Sequence, residues 1–148
     1  MRTRAVALWA VGLVLFGAAR LTAEDKAKGQ EALHGTWKIQ EWAQDGKEVP
    51  VNQIKDVTFV FKDDTYTISM AGKELESGSF KVDTSKKPHT IDLEIKSGQD
   101  KGKKQPGVYS IDGDTLKTCF ARPGASERPQ EVAAKAKTIY TVLKREKK

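Results

Sequence analysis

The sequence predicts an all-β fold: an eight-stranded antiparallel up-and-down barrel with a short N-terminal helical turn. Apolar residues recur with a period of two through most of the chain, and helical periodicity is hard to find. The strand-like runs are joined mostly by tight Asp/Gly/Pro turns, with no crossover helices between them. Closing the meander on itself removes the exposed strand edges. A two-sheet sandwich has the same periodicity and remains the alternative.

The chain has 148 residues, 38% hydrophobic and 31% charged, which suits one globular domain. Residues 1–23 read as an export signal: Arg2 and Arg4, an apolar run from Ala5 to Ala19, then small residues, with cleavage after Ala23 or, second, Ala19. The run is interrupted by Gly12 and Gly17 and stopped by Arg20, short of the roughly 20 apolar residues of a spanning helix. The expectation is a monomeric single domain over 24–148, periplasmic or secreted, with no membrane span after cleavage. Formal net charge is +6, but Arg2, Arg4 and Arg20 lie in the leader and the remainder carries +3, too mild to argue for nucleic acid. One cysteine and two histidines cannot build a disulfide framework or a zinc cluster.

After a polar lead with a helical turn near Gln30 to His34, the first strand runs near Thr36 to Ala43, with Trp37 and Ile39 on one face, and ends at Gln44-Asp45-Gly46. The second, near Val57 to Phe61, groups Val57, Phe59 and Phe61. The third alternates Tyr66, Ile68 and Met70 against Thr65, Thr67 and Ser69, and Ala71-Gly72-Lys73 turns it back. In the fourth, Leu75 is out of phase with Phe80 and Val82 with Gly78 between, which marks a bulge. The fifth carries Ile91, Leu93 and Ile95, and a polar loop follows from Ser97 to Pro106. Tyr109 and Ile111 lead into the hairpin signal Asp112-Gly113-Asp114. Leu116, Thr118 and Phe120 form the seventh strand, and Thr138 to Leu143 the eighth.

Gly35-Thr36-Trp37-Lys38, the stretch Thr58 to Tyr66, Ile91-Asp92-Leu93 and Ile111-Asp112-Gly113-Asp114-Thr115-Leu116 together make a wider pattern. With Cys119, Arg122-Pro123-Gly124 and Glu127-Arg128-Pro129, it resembles the planctomycete lipocalin-like domain family of unknown function, from Leu33 to Arg145. The resemblance implies a lipocalin-type barrel in which Gly35 and Trp37 close one end, with Arg145 in contact across that floor, and it implies no assigned activity. Fatty-acid-binding proteins open with a similar Gly-Thr-Trp-Lys but insert two helices after the first strand. Here Ala43 to Asp56 is too short for them and contains Pro50.

With Trp37 at the floor, the long connections Ala43 to Asp56, Ser97 to Pro106 and Arg122 to Lys137 fall at the opposite rim, where binding residues are expected. Those three loops carry a formal +3 and the floor turns −2. Phe59, Tyr66, Phe80, Tyr109 and Phe120 face inward, where they either fill the barrel or line a pocket. Arg122 and Arg128 offer planar donors for a carboxylate or phosphate. Two function classes follow. One is a carrier or sensor for a small apolar or anionic amphiphilic ligand; the other is an extracytoplasmic interaction module with a filled barrel. Catalytic, cofactor and metal residues are expected to be none. No nucleophile elbow, phosphate loop or zinc motif appears, and Asp63-Asp64 and Asp112 with Asp114 fall at turns, where Asp is expected. Cys119 reads as a small packed hydrophobe, and His34 and His89 as surface or capping residues.

Overall fold

In the computed structural model, which describes residues 23–147, eight strands close into one antiparallel barrel. The export-signal reading therefore falls almost entirely outside the described residues. The order is α1 (Ala23–Leu33), β1 (Gly35–Gln44), β2 (Lys47–Glu48), α2 (Val51–Ile54), β3 (Val57–Lys62), β4 (Thr65–Met70), β5 (Lys73–Asp83), β6 (His89–Gly98), β7 (Lys104–Asp112), β8 (Thr115–Ala121) and β9 (Thr138–Arg145). Each barrel strand pairs with its neighbour in sequence, and β1 pairs back onto β9 from Trp37↔Arg145 to Gln44↔Ile139. That ladder makes the sheet continuous and excludes the sandwich.

Bulges bend the sheet toward closure. Pairing of β4 with β5 steps from Ile68↔Glu76 to Ser69↔Glu74, leaving Leu75 unmatched. Across β5 and β6 it steps from Ser77↔Ser97 to Gly78↔Ile95, so Lys96 is extra. A bulge that the alternation did not announce falls at Gln40 in β1, between Ile39↔Leu143 and Glu41↔Val142. A Cβ on Gly78 would come 2.0 Å from the Glu94 carbonyl oxygen, so only glycine fits there.

The expected helical turn is a longer helix, α1, whose Ala-, Lys-, Glu- and Gln-rich sequence has good helix propensity. Its end docks on the barrel floor. Leu33 is fully buried, Trp37 Nε1 donates to the Leu33 carbonyl at 2.8 Å, and the Arg145 guanidinium donates to Ala32 O at 2.8 Å and to His34 O. Carbonyls in the last turn of a helix lack intrahelical donors, and that end favours a cation; the floor supplies both. Arg145 also stacks over Trp37, 4.3 Å from the ring centroid. Gly35 has φ +127, and a Cβ there would come 3.0 Å from an Arg145 guanidinium nitrogen.

The connections differ from the sequence reading in two places. Asp45 and Gly46, both at positive φ, turn β1 into the two-residue β2, after which α2 buries Ile54. The polar loop expected from Ser97 to Pro106 shrinks to 99–103, because β7 already pairs with β6 at Glu94↔Lys104. Pro106 is tolerated because β8 pairs with β7 only from Gly107 onward, so the proline's missing donor breaks no rung on that side.

Candidate functional site

The interior divides into two halves. Toward the floor, Trp37, Phe61, Tyr66, Phe80, Tyr109, Leu116 and Leu143 are packed and buried, with Phe61 and Phe80 edge to face at 5.1 Å. Toward the rim the side chains leave a cavity of about 750 Å³. Its walls are Trp42, Phe59, Ile68, Leu93, Phe120 and Ile139, interrupted by Glu76, Gln105, Thr118 and Thr141. Gln44, Leu75, Gln99, Asp100, Arg122 and Pro123 stand at the opening. Small-molecule sites occupy about 300 to 1,000 Å³ and combine apolar walls with a few placed polar groups.

The polar groups are mostly satisfied within the wall. The Thr118 and Thr141 hydroxyls hydrogen-bond each other, and Gln105 Nε2 donates to Ala121 O at 2.8 Å. Trp42 Nε1 is buried and meets no acceptor among the described residues. Glu76 is half-buried and accepts a 2.9 Å hydrogen bond from the Tyr66 hydroxyl. Burial raises its carboxyl above the ordinary carboxylate range; the Tyr66 bond opposes this and the Asp100 charge adds to it. Burial, with the Glu76 charge beside it, pushes the Tyr66 phenol strongly up.

A model of the lipocalin-like domain matches residues 33–138. The chain belongs to the lipocalin-like domain family. A search of curated proteins finds no match.

Within this lipocalin-like barrel, the residues expected to bind separate by position. Phe59 and Phe120 line the cavity, and Arg122 stands at its mouth, paired with Asp45. Tyr66, Phe80 and Tyr109 point inward but are packed in the floor half. Burial, aided by the Asp83 charge, pushes the Tyr109 phenol up to about 12. Arg128 lies on the outer wall, donating to Gly107 O at 2.9 Å and pairing with Asp92 at 2.7 Å. The acid partners of the two arginines are thus Asp45 and Asp92.

The segment 122–137 begins and ends at the rim but folds back over the outside of the barrel. It covers Cys119, whose buried thiol lies 3.3 Å from the Ala133 carbonyl oxygen. His34 and His89 sit at floor turns against the carbonyls of Asp63 and Lys86. Among the described residues no three His, Cys, Asp or Glu side chains are grouped to hold a metal ion.

Sequence reasoning missed Trp42, Glu76, Gln105 and Thr141 as cavity residues. Strict alternation from Trp37 and Ile39 puts Trp42 on the outer face; the Gln40 bulge reverses the phase and turns it inward opposite Thr141. Glu76 is in phase with Gly78 and Phe80, so the period-two pattern did hold its signal, masked by its charge.

Proposed function

We propose that this lipocalin-like protein is an exported, monomeric binding protein, a carrier or sensor, that holds one small apolar or amphiphilic ligand in the rim half of its barrel. Residues 1–23 serve as the cleaved signal and 24–148 as the working domain, in the periplasm or outside the cell. No helix among the described residues is long and apolar enough to cross a membrane. The observation that carries the binding reading is the cavity of about 750 Å³ above a packed floor. Such a volume has apolar walls to strip water from a ligand body and a rigid base that limits how deep the body goes.

Binding rather than catalysis fits the polar groups, because the threonine hydroxyls and the Gln105 amide are engaged with other wall groups. The acidic head expected from the positive rim fits less well. It would compete with Asp45 for Arg122 and meet Glu76 and Asp100 in the same opening.

The test is a titration with the neutral fluorophore N-phenyl-1-naphthylamine, for the wild type and for Ile139→Trp, which places an indole in the cavity wall. Saturable binding of one probe by the wild type, lost in a variant that unfolds at the same temperature, is expected. Equal binding by both proteins, or none by the wild type, overturns the reading and favours a surface-interaction role. Intact mass of the exported protein should show loss of the first 19 or 23 residues; a full-length membrane-held species overturns the export reading.

A further inference from the structure

We infer that the ligand of this cavity carries a protonated amine or similar cationic head, which pairs with the Glu76 carboxylate while its apolar body lies against Phe59, Ile68 and Phe120. The inference rests on the binding reading above and names the class of ligand within it.

Three charged side chains line the cavity: Glu76, Asp100 and Arg122. Arg122 is paired with Asp45, and Asp100 with Lys103 at 3.2 Å. Glu76 alone of the three has no cation in ion-pair range among the described residues; its hydrogen-bond partner is the neutral Tyr66 hydroxyl. That hydroxyl occupies Oε1 and leaves Oε2 free to accept. An ionised carboxylate kept half-buried without a counter-charge is costly, and a cation brought by the ligand would remove that cost. The like charge of Asp100, near enough to disfavour ionisation of Glu76, adds to the attraction for a cation and opposes an anion.

The apolar half of the recognition is fixed by register. Phe59 pairs with Ile68, and Ile68 with Glu76, so the three project from one cross-strand row on the same face. A chain extending from an ammonium at Glu76 therefore meets Ile68 and Phe59 directly, with Phe120 also lining the cavity. Aromatic faces attract a cation as well, which reinforces a positive head over a neutral one. The local charge within the cavity thus opposes the +3 of the rim loops, whose cations are drawn away by Asp45, by Asp92 and into solvent.

Three probes with one tail separate the possibilities: decylammonium, 1-decanol and decanoate, each displacing N-phenyl-1-naphthylamine from the wild type and from Glu76→Gln. The glutamine keeps an oxygen to accept the Tyr66 hydrogen bond, so the barrel should stay intact, as thermal unfolding checks. The amine should bind about tenfold tighter than the alcohol, as expected of a charge-assisted hydrogen bond. Glu76→Gln should erase that margin and not weaken decanoate. Decanoate binding tighter than the amine, or amine affinity unchanged in the variant, overturns the inference. The fluorophore binding while no decyl probe displaces it also overturns the inference and spares the cavity; failure of the fluorophore itself overturns both.

Discussion

Replacing Trp37 tests how the floor of the barrel is held. The indole is fully buried, donates to the last carbonyl of α1 at 2.8 Å and carries Arg145 over its ring at 4.3 Å. A buried tryptophan covers about 150 to 250 Å², which at about 25 cal/mol per Å² is an upper bound of about 4 to 6 kcal/mol. Truncation to alanine in a core typically costs about 3 to 5 kcal/mol, and that is the expectation for Trp37→Ala. Trp37→Phe keeps most of the ring but orphans the Leu33 carbonyl, for an expected cost of about 1 to 3 kcal/mol. Urea unfolding followed by circular dichroism measures both. A shift below about 1 kcal/mol for Trp37→Ala would refute the claim that the floor depends on this side chain. Equal losses in the two variants would refute the division between packing and hydrogen bonding.

Gly78→Ala should fail to fold or lose most of its stability, since its Cβ would strike the Glu94 carbonyl oxygen at 2.0 Å; soluble expression and thermal unfolding check it, and a wild-type melting temperature is the contrary result. Burial holds the Glu76 carboxyl above its ordinary value of 4.5, so the folded state keeps this proton more tightly than the unfolded chain. Stability from this group is therefore full below pH 4.5 and is lost as pH rises through the higher folded value, so Glu76→Gln should flatten stability against pH just above 4.5. Arg122→Ala should raise the Asp45 carboxyl toward its ordinary value, because the Arg122 hydrogen bond and charge hold it down; a carbon-detected NMR titration reads this directly. Cys119 should react with a thiol reagent only after unfolding, since it is buried beneath segment 122–137; rapid modification of the native protein would show that segment to be open.

The barrel was legible from sequence because a strand with one face in a core must alternate, and the turns between these strands carry residues that accept positive φ, such as Asp45-Gly46 and Gly113. The same logic placed Phe59, Phe61, Phe80 and Phe120 inside, and the family resemblance placed Arg145 at the floor, where it meets Trp37. Helix α1 was read short because its sequence has no apolar stripe; it is held by carbonyl contacts from Arg145 and Trp37, which pattern cannot register.

Whether the barrel is filled or hollow was decided only by the tertiary structure. Composition sets how much apolar side chain points inward, but strand tilt and bulges set where it accumulates. Phe61, Tyr66, Phe80 and Tyr109 crowd the floor half, and the Gln40 bulge turns Trp42 into the opening left above them. Charge was decided there too. Counting along the loops gave a positive rim, yet Asp45 and Asp92 take up Arg122 and Arg128, while Glu76 faces the cavity with no cation beside it. A sum over sequence cannot anticipate this, because electrostatic pairing depends on which charges the closed sheet brings within a few ångströms of one another.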